Sequence, residues 1–66
     1  MGLKEVRERA DMTQTELAKR TGIAQTTISG YENGRRNIWL MSLGNALRIC
    51  RALNCRPDEL TGGYPD

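Results

Sequence analysis

The 66-residue chain has no histidine, no phenylalanine and only two cysteines. Histidine is the side chain most often used to move protons at neutral pH, so its absence removes the usual general acid–base. No nucleophile has a neighbouring base, no glycine-rich phosphate loop opens a helix, and no pair of carboxylates lies in an apolar setting. The chain is also too short to enclose a substrate pocket of ordinary size. The sequence therefore predicts a protein that is not an enzyme, with no cofactor and no small-molecule ligand.

The two cysteines, Cys50 and Cys55, allow three interpretations. They could form a disulfide, supply half of a metal site, or remain reduced thiols in the core. Without histidine or a third cysteine, soft ligands from one chain cannot complete a four-ligand zinc site. Both residues fall at positions that the apolar periodicity assigns to the core. We therefore expect two buried, reduced thiols and no metal.

Long apolar runs are missing as well. No stretch of eighteen apolar residues exists, so no segment is predicted to span a membrane. The first five residues, Met-Gly-Leu-Lys-Glu, lack the apolar core of a secretory signal, which favours a cytoplasmic protein. The length favours a single domain, residues 1–66, with a small core.

The net charge of +2 is modest, but its distribution along the chain is uneven. Between Leu17 and Pro57 the only acid is Glu32, and the basic residues there are Lys19, Arg20, Arg35, Arg36, Arg48, Arg51 and Arg56. The other acids gather near the two ends: Glu5, Glu8, Asp11, Glu16, Asp58, Glu59 and Asp66. A basic middle favours a polyanion on one face. A scattered, solvated surface is the alternative, and charge alone does not separate the two.

Residues 13–34 are predicted to form two short helices, spanning about 14–21 and 25–32. Thr13 is a good N-cap because its hydroxyl can accept a hydrogen bond from a free amide of the first turn. Glu16, three residues later, can accept from the Thr13 amide, which would complete a capping box. Met12 and Leu17 occupy the positions of a hydrophobic staple. Three independent features thus predict the same helix start.

A tight turn at Gly22 is predicted to join the two helices, because glycine adopts the positive φ of a helix end without steric cost. In the second helix, Ile28 and Tyr31 lie three residues apart and are predicted to face inward. The outer face would hold amides, hydroxyls and one bare backbone position: Gln25, Thr26, Thr27, Ser29 and Gly30. Solvated helix faces usually carry Lys and Glu, whereas amides and hydroxyls suit the edges of base pairs.

The phage-repressor family, of Cro/CI or XRE type, has a helix-turn-helix that this chain resembles in the pattern Gln14-x-x-Leu17-Ala18-x-x-x-Gly22-Ile23-x-Gln25-x-x-Ile28-x-x-Tyr31-Glu32-Asn33-Gly34. The similarity spans roughly residues 3–62. It implies an all-α fold, a compact five-helix repressor-like domain with the helix-turn-helix at helices 2 and 3. A generic helical hairpin with a glycine turn is the alternative.

The resemblance also implies roles for individual residues. The helix from Gln25 to Glu32 would lie in the major groove of double-stranded DNA, with its N-terminal end toward the bases. Base contacts are expected from Gln25, Thr26 and Ser29. Phosphate contacts are expected from Gln14, Thr27, Asn33, Arg35, Arg36 and Asn37. In the family, the residue matching Gln14 also supports the one matching Gln25.

Two further positions are interpreted through the resemblance. The family pairs the residues matching Arg7 and Glu32, so a structural ion pair is expected between helix 1 and the end of the recognition helix. Gly30 departs from the pattern, because the family often has a long base-reading side chain there. Either the site is read over fewer base pairs, or the glycine admits a close approach of the DNA.

The remaining helices are placed by caps and apolar spacing. Helix 1 is predicted over about 2–10, with its apolar face formed by Leu3, Val6 and Ala10. Ser42 can cap a helix over about 43–53, whose apolar stripe would be Leu43, Ala46, Leu47, Cys50 and Leu53. Asn54 is expected to end that helix in the left-handed conformation. Pro57 suits the first position of a last helix over about 57–61, and residues 62–66 are predicted to be a frayed tail.

The segment Ile38–Met41 departs from the family, which commonly continues Asn-Pro-Ser-Leu into the fourth helix. Here the proline is missing and the connection is about three residues longer. Four consecutive large apolar residues are costly if exposed. Either they complete the small core, or they form a surface for a partner with Trp39 as its exposed contact.

The most specific interpretation is a sequence-specific regulator that binds double-stranded DNA. A domain of this size reads few base pairs, so a homodimer on a palindromic operator, acting as a repressor, is expected. The alternative is a protein-interaction module, an antitoxin or adaptor that uses the Ile38–Met41 loop.

Overall fold

The computed structural model describes residues 2–63, which fold into five α-helices and one short 3-10 helix. The α-helices are α1 (Leu3–Arg9), α2 (Gln14–Thr21), α3 (Gln25–Glu32), α4 (Leu43–Leu53) and α5 (Pro57–Thr61). The 3-10 helix, Ile38–Leu40, lies between α3 and α4. The all-α, five-helix fold predicted from the sequence is confirmed, and the 3-10 helix is an addition to it. Of the predicted tail, residues 64–66 lie outside the described part of the chain.

The start of α2 forms as its sequence dictates. The Thr13 hydroxyl accepts from the Glu16 amide at 3.1 Å, and a Glu16 carboxylate oxygen accepts from the Thr13 amide at 3.2 Å, so the capping box is complete. Gly22 ends α2 at φ 75°, in the left-handed region where glycine has no steric penalty. Its amide donates to Ala18 O, closing the last turn. The chain can therefore reverse at once into α3.

The core lies where α1, α2, α3 and α4 meet. Its four fully buried side chains are contributed one by each of these helices: Val6, Leu17, Ile28 and Ile49. Met12 and Ile23, from the connections before and after α2, are buried in the same cluster. The contacts of α2 with both α3 and α4 fix the recognition helix against the rest of the molecule.

The predicted apolar stripe of α4 is wrong in part. Leu43 and Leu47 are 71% and 53% exposed, whereas Ile49, absent from that stripe, is fully buried. The buried side of α4 is completed by Cys50 and Leu53. Apolar residues occur around more than half of the helix circumference, so their spacing alone could not fix which side faces inward. Ala10 is also exposed, because it follows the end of α1 instead of facing the core.

The segment after α3 divides between the two predicted roles. Ile38 and Met41 are half-buried and pack against the core, while Trp39 is 50% and Leu40 81% exposed. Asn37 caps the 3-10 helix, because its Oδ1 accepts from the Trp39 amide at 3.0 Å. The 3-10 turn directs the first and last side chains of the segment toward the core and the middle two toward the surface. The segment therefore combines the two alternatives, since Ile38 and Met41 pack on the core whereas Trp39 and Leu40 are exposed.

The two cysteines are free thiols, with Cys50 buried and Cys55 half-buried. Cys55 is thus less enclosed than predicted. Burial, together with the neighbouring Cys50 thiol, raises the pKa of Cys55 to about 12, and burial also raises the pKa of Cys50. Since the thiolate is the reactive form, both groups are chemically quiet at neutral pH. Over residues 2–63, no helix is long and apolar enough to cross a membrane.

Candidate nucleic-acid interface

The outer side of α3 borders a shallow groove of about 190 Å³ that contains no acidic side chain. Its lining is Gln25, Thr26, Ser29, Gly30, Asn33 and Arg35. We call the α3 part of this surface, formed by Gln25, Thr26, Ser29 and Gly30, the reading face. Gln25 and Thr26 are exposed and Ser29 is half-buried, so the three residues expected to contact bases share one side of the helix. Amides and hydroxyls on such a surface can match the donors and acceptors of base edges.

A chain of side-chain hydrogen bonds connects the reading face to α1. Gln25 Nε2 donates to Gln14 Oε1 at 2.7 Å, and Gln14 Nε2 donates to Glu32 Oε1 at 3.0 Å. Arg7 donates to both carboxylate oxygens of Glu32, from Nε at 2.7 Å and from Nη2 at 2.9 Å. The third guanidinium nitrogen, Nη1, donates to Met12 O at 2.7 Å. Arg7 is therefore connected by hydrogen bonds, through Glu32 and Gln14, to the exposed side chain of Gln25.

The inner end of this network is an ion pair whose side chains are largely enclosed. The side chains of Arg7 and Glu32 are only 11% and 4% exposed. Burial raises the pKa of the Glu32 carboxyl, but the hydrogen bonds from Arg7 and Gln14 outweigh it and leave the pKa below its ordinary value. The hydrogen bond to Glu32 raises the pKa of Arg7. Both groups are therefore charged at neutral pH, and every oxygen of the carboxylate has a donor.

The network also determines how the two amides are oriented. A carboxylate only accepts hydrogen bonds, so Gln14 must turn its NH₂ group toward Glu32 and its oxygen toward Gln25. Gln25 must then turn its NH₂ group toward Gln14. Within residues 2–63, Gln25 keeps one N–H and its carbonyl oxygen free, and these are the donor and acceptor that an adenine edge requires.

Gly30 does not present the bare backbone that the sequence suggested. It is buried, and the side chain of Arg36 lies against it. A Cβ atom built on Gly30 would be 3.1 Å from both Cγ and Cδ of Arg36. The Arg36 amide also donates to Gly30 O at 3.0 Å. The glycine thus makes room for an arginine of the same chain, an arrangement that neither sequence-based alternative included.

The other expected phosphate-binding residues surround the reading face in different ways. Arg35 and Asn33 line the groove, and the Oδ1 of Asn33 accepts from the Arg35 amide at 3.1 Å. Asn37 is exposed beyond the groove, where its Oδ1 is used as a helix cap. Thr27 is half-buried and does not line the groove, while Gln14 is half-buried within the network. The polar rim of the groove is therefore formed mainly by the loop after α3.

Comparison with known proteins shows to which family the chain belongs. The sequence profile described as helix-turn-helix matches residues 3–60, which is most of the chain. The chain belongs to the helix-turn-helix family. Within that family it is an XRE-type DNA-binding protein, and the family match supports a DNA-binding regulator.

The relatives carry two kinds of name. Antitoxin HipB of Escherichia coli K12 is 40% identical, over 86% of this chain and 73% of that protein. An uncharacterised HTH-type transcriptional regulator of Archaeoglobus fulgidus is also 40% identical, over 88% of this chain and 78% of that protein. No solved structure gave a significant match.

Two features of this helix-turn-helix protein escaped the sequence-based predictions. The first is the hydrogen bond from Gln14 to Glu32, which joins two predicted pairs into one network. It could have been suspected, because a carboxylate has more acceptor capacity than one arginine uses. The second is the contact between Arg36 and Gly30. No sequence pattern indicated it, since it depends on how the loop folds back over α3.

A second basic surface lies apart from the reading face. A cleft of about 450 Å³ between α2 and α4 is lined by Arg20, Thr21, Arg48, Arg51 and Ala52. It shares no residue with the groove along α3. The uneven charge noted in the sequence is therefore divided between two surfaces, and only the one with Arg35 adjoins the recognition helix.

Proposed function

We propose that this protein is a sequence-specific transcriptional repressor that binds a palindromic operator as a homodimer in the cytoplasm. The observation that carries the proposal is the 2.7 Å hydrogen bond by which Gln14 orients Gln25. A solvated glutamine would gain little from a fixed orientation, and ordering it costs side-chain entropy. A glutamine that contacts a base binds more tightly when it is fixed in advance, because its side-chain entropy is already lost before DNA binds.

In this proposal the N-terminal end of α3 enters the major groove, as helix-turn-helix docking requires. Gln25 bonds the N6 and N7 edge of an adenine through its free oxygen and its remaining N–H. Thr26 contacts a neighbouring base, for example through a thymine methyl group, and Ser29 contacts a third. These three side chains supply the base contacts.

The phosphate contacts are proposed to come from the start of α2, from Thr27 on α3 and from the loop after α3. Their donors are amide, hydroxyl and guanidinium groups, which suit phosphate oxygens. They are Gln14, Thr27, Asn33, Arg35 and Asn37. Arg36 differs from them because its side chain lies against Gly30 of α3.

A homodimer is proposed because one copy of this small reading face covers few base pairs. Two copies related by a two-fold axis would read two half-sites about one helical turn apart. The exposed apolar side chains beyond α3 offer a surface on which a second copy could pack.

The test begins with selection from a random DNA library, followed by affinity measurements on the selected site and on its single-base variants at one salt concentration. Gln25→Ala should lose about 1–3 kcal/mol of discrimination at one base pair per half-site. Arg35→Ala is the contrasting variant. It should weaken binding to all sequences equally and reduce the salt slope by about one unit.

Binding of every single-base variant by Gln25→Ala with the profile of the parent would remove Gln25 from the base contacts. An unchanged salt slope for Arg35→Ala would remove Arg35 from the phosphate contacts. Failure to select any sequence would overturn the proposal as a whole.

A second candidate function is an interaction module, an antitoxin or adaptor whose partner binds the Ile38–Met41 loop. It is favoured by the exposure of Trp39 and Leu40 and by the relatives named as antitoxins. Two experiments that follow the fluorescence of Trp39 separate the candidates. Dilution of the protein without DNA tests self-association, and a concentration-dependent shift supports self-association through the loop. Addition of DNA tests DNA binding, and no response to any DNA supports the adaptor.

A further inference from the structure

Gly30 and Arg36 together form a feature that a phosphate-binding loop does not require. On α3, Gly30 is four residues beyond Thr26, so the two positions are neighbours along the same side of the helix. A side chain at position 30 would extend from the reading face. The structure has none there, and the Arg36 stem fills that space, with Nε 3.5 Å from where a Cβ would lie.

The aliphatic stem of Arg36 is held while its charged end stays available. Its backbone amide is bonded to Gly30 O, and its Cγ and Cδ lie against the glycine. The residue is nevertheless exposed, and its guanidinium has no hydrogen bond or ion pair within residues 2–63. An arginine that needed only to reach a phosphate could extend freely from the loop. This one has its stem fixed on the helix that carries the base-reading residues.

We propose that Arg36 takes the place of the missing side chain at position 30 and reads a guanine next to the base contacted by Thr26. This inference rests on the proposed function and revises the expectation that Arg36 binds a phosphate. The forked donors of a guanidinium match guanine O6 and N7, the commonest specific arginine contact in the major groove. Gly30 is then the residue that lets Arg36 approach α3 closely enough.

The main test uses the selected DNA site and its single-base variants, with the full chain and three substitutions. Arg36→Ala should lose discrimination at one G·C pair per half-site by about 10- to 100-fold. Arg36→Lys keeps the charge but not the planar fork, so it should retain the parent's salt slope and show a preference at that pair between those of the parent and Arg36→Ala. Arg35→Ala, at the neighbouring position of the same loop, should weaken all sequences by one common factor.

Gly30→Ala tests the contact itself. The added methyl group would meet Cγ and Cδ of Arg36 at 3.1 Å, so the arginine must shift. Because alanine favours a helix more than glycine does, the fold should survive, and thermal unfolding checks this. The variant should change the preference at the same base pair as Arg36→Ala while leaving the pair read by Gln25 unaffected.

Equal weakening of all sequences by Arg36→Ala would make Arg36 a phosphate contact and overturn the inference. So would a folded Gly30→Ala variant with an unchanged profile. If Gln25→Ala alters one base position and Arg36→Ala alters none, the proposed function stands and only this inference fails. If the parent selects no sequence, both fail.

Discussion

Two exposed surfaces of this small protein are built in opposite ways. The reading face on α3 is polar. Its first residue, Gln25, is connected by hydrogen bonds through Gln14 and Glu32 to the largely enclosed Arg7. The second region, which we call the apolar patch, comprises the exposed large apolar side chains of the 3-10 helix and of α4, Trp39, Leu40, Leu43 and Leu47. Within residues 2–63 these four side chains are between 50% and 81% exposed, although they are among the largest apolar groups of the chain.

The difference shows which surface is defined by the molecule itself. A polar side chain that is held by internal hydrogen bonds has its shape before any ligand binds, so its specificity is preorganised. An exposed apolar group gains free energy only when something else covers it. The reading face can therefore be interpreted from this chain alone, whereas the apolar patch points to a second molecule.

The largest expected effect comes from breaking the inner end of the network. Arg7→Ala would leave the Glu32 carboxylate buried with only the Gln14 amide as a side-chain donor, and should cost about 3–5 kcal/mol. A domain this small has a stability of the same order, so the variant should be largely unfolded. Urea denaturation measures the loss.

Two controls separate stability from positioning. Arg56→Ala removes an arginine that is 76% exposed and paired at the surface, and it should cost no more than about 1 kcal/mol. Replacing both Arg7 and Glu32 by Met should be nearly neutral for folding, because no buried charge is left unpaired. That double variant still removes the acceptor of Gln14, so it should fold but discriminate bases less well. Full specificity in the double variant would contradict the positioning role of the network.

Protonation of the Glu32 carboxylate in the same ion pair is expected to have a smaller effect on stability. The pKa of Glu32 is below its ordinary value of 4.5, because hydrogen bonds from Arg7 and Gln14 outweigh the effect of burial. The folded protein therefore holds this proton less tightly than the unfolded chain. The stabilisation is fully present above the unfolded pKa and is lost as the pH falls through the lower folded value.

The test is to measure the urea concentration at the midpoint of unfolding at several pH values, from neutral pH to about pH 2.5. Glu59 also has a lowered pKa, through its hydrogen bond from Arg9, so the parent alone does not isolate Glu32. The difference between the parent and the Arg7→Met, Glu32→Met double variant does. Parallel pH profiles for the two proteins would show that the ion pair is not the source of the acid sensitivity.

The sequence predicts the reading face better than the apolar patch, for a physical reason. The start of α2 depends on local capping, and the turn depends on a glycine at φ 75°, so a short stretch of sequence is enough. The side of α4 that faces inward depends instead on which neighbours it packs against. Leu43 and Leu47 have the spacing of core residues, and only the tertiary packing leaves them exposed.

The same distinction applies within the candidate site. Gln25 and Thr26 were placed on the outer face by helical periodicity, and they are exposed. The covering of Gly30 by Arg36 was not predictable, because the loop between them returns to the helix in a way that no local pattern encodes. Sequence periodicity places a side chain on a face of a helix, but it does not place the loop that packs on that face.

The smallest effect on stability is expected in α4, where an exposed leucine of the apolar patch can be compared with a buried core residue of the same helix. Leu47 is 53% exposed, so Leu47→Ser should change the free energy of unfolding by less than about 1 kcal/mol. Ile49, two residues away and fully buried, is the matched control. Ile49→Ser should lose more than about 3 kcal/mol, because it leaves a cavity and buries a hydroxyl.

If the apolar patch joins two copies, Leu47→Ser should also be monomeric in sedimentation at concentrations where the parent is a dimer. A folded Leu47→Ser variant with the parent's sedimentation would place the dimer contact elsewhere, and an equal loss of stability in both variants would mean that Leu47 is a core residue after all.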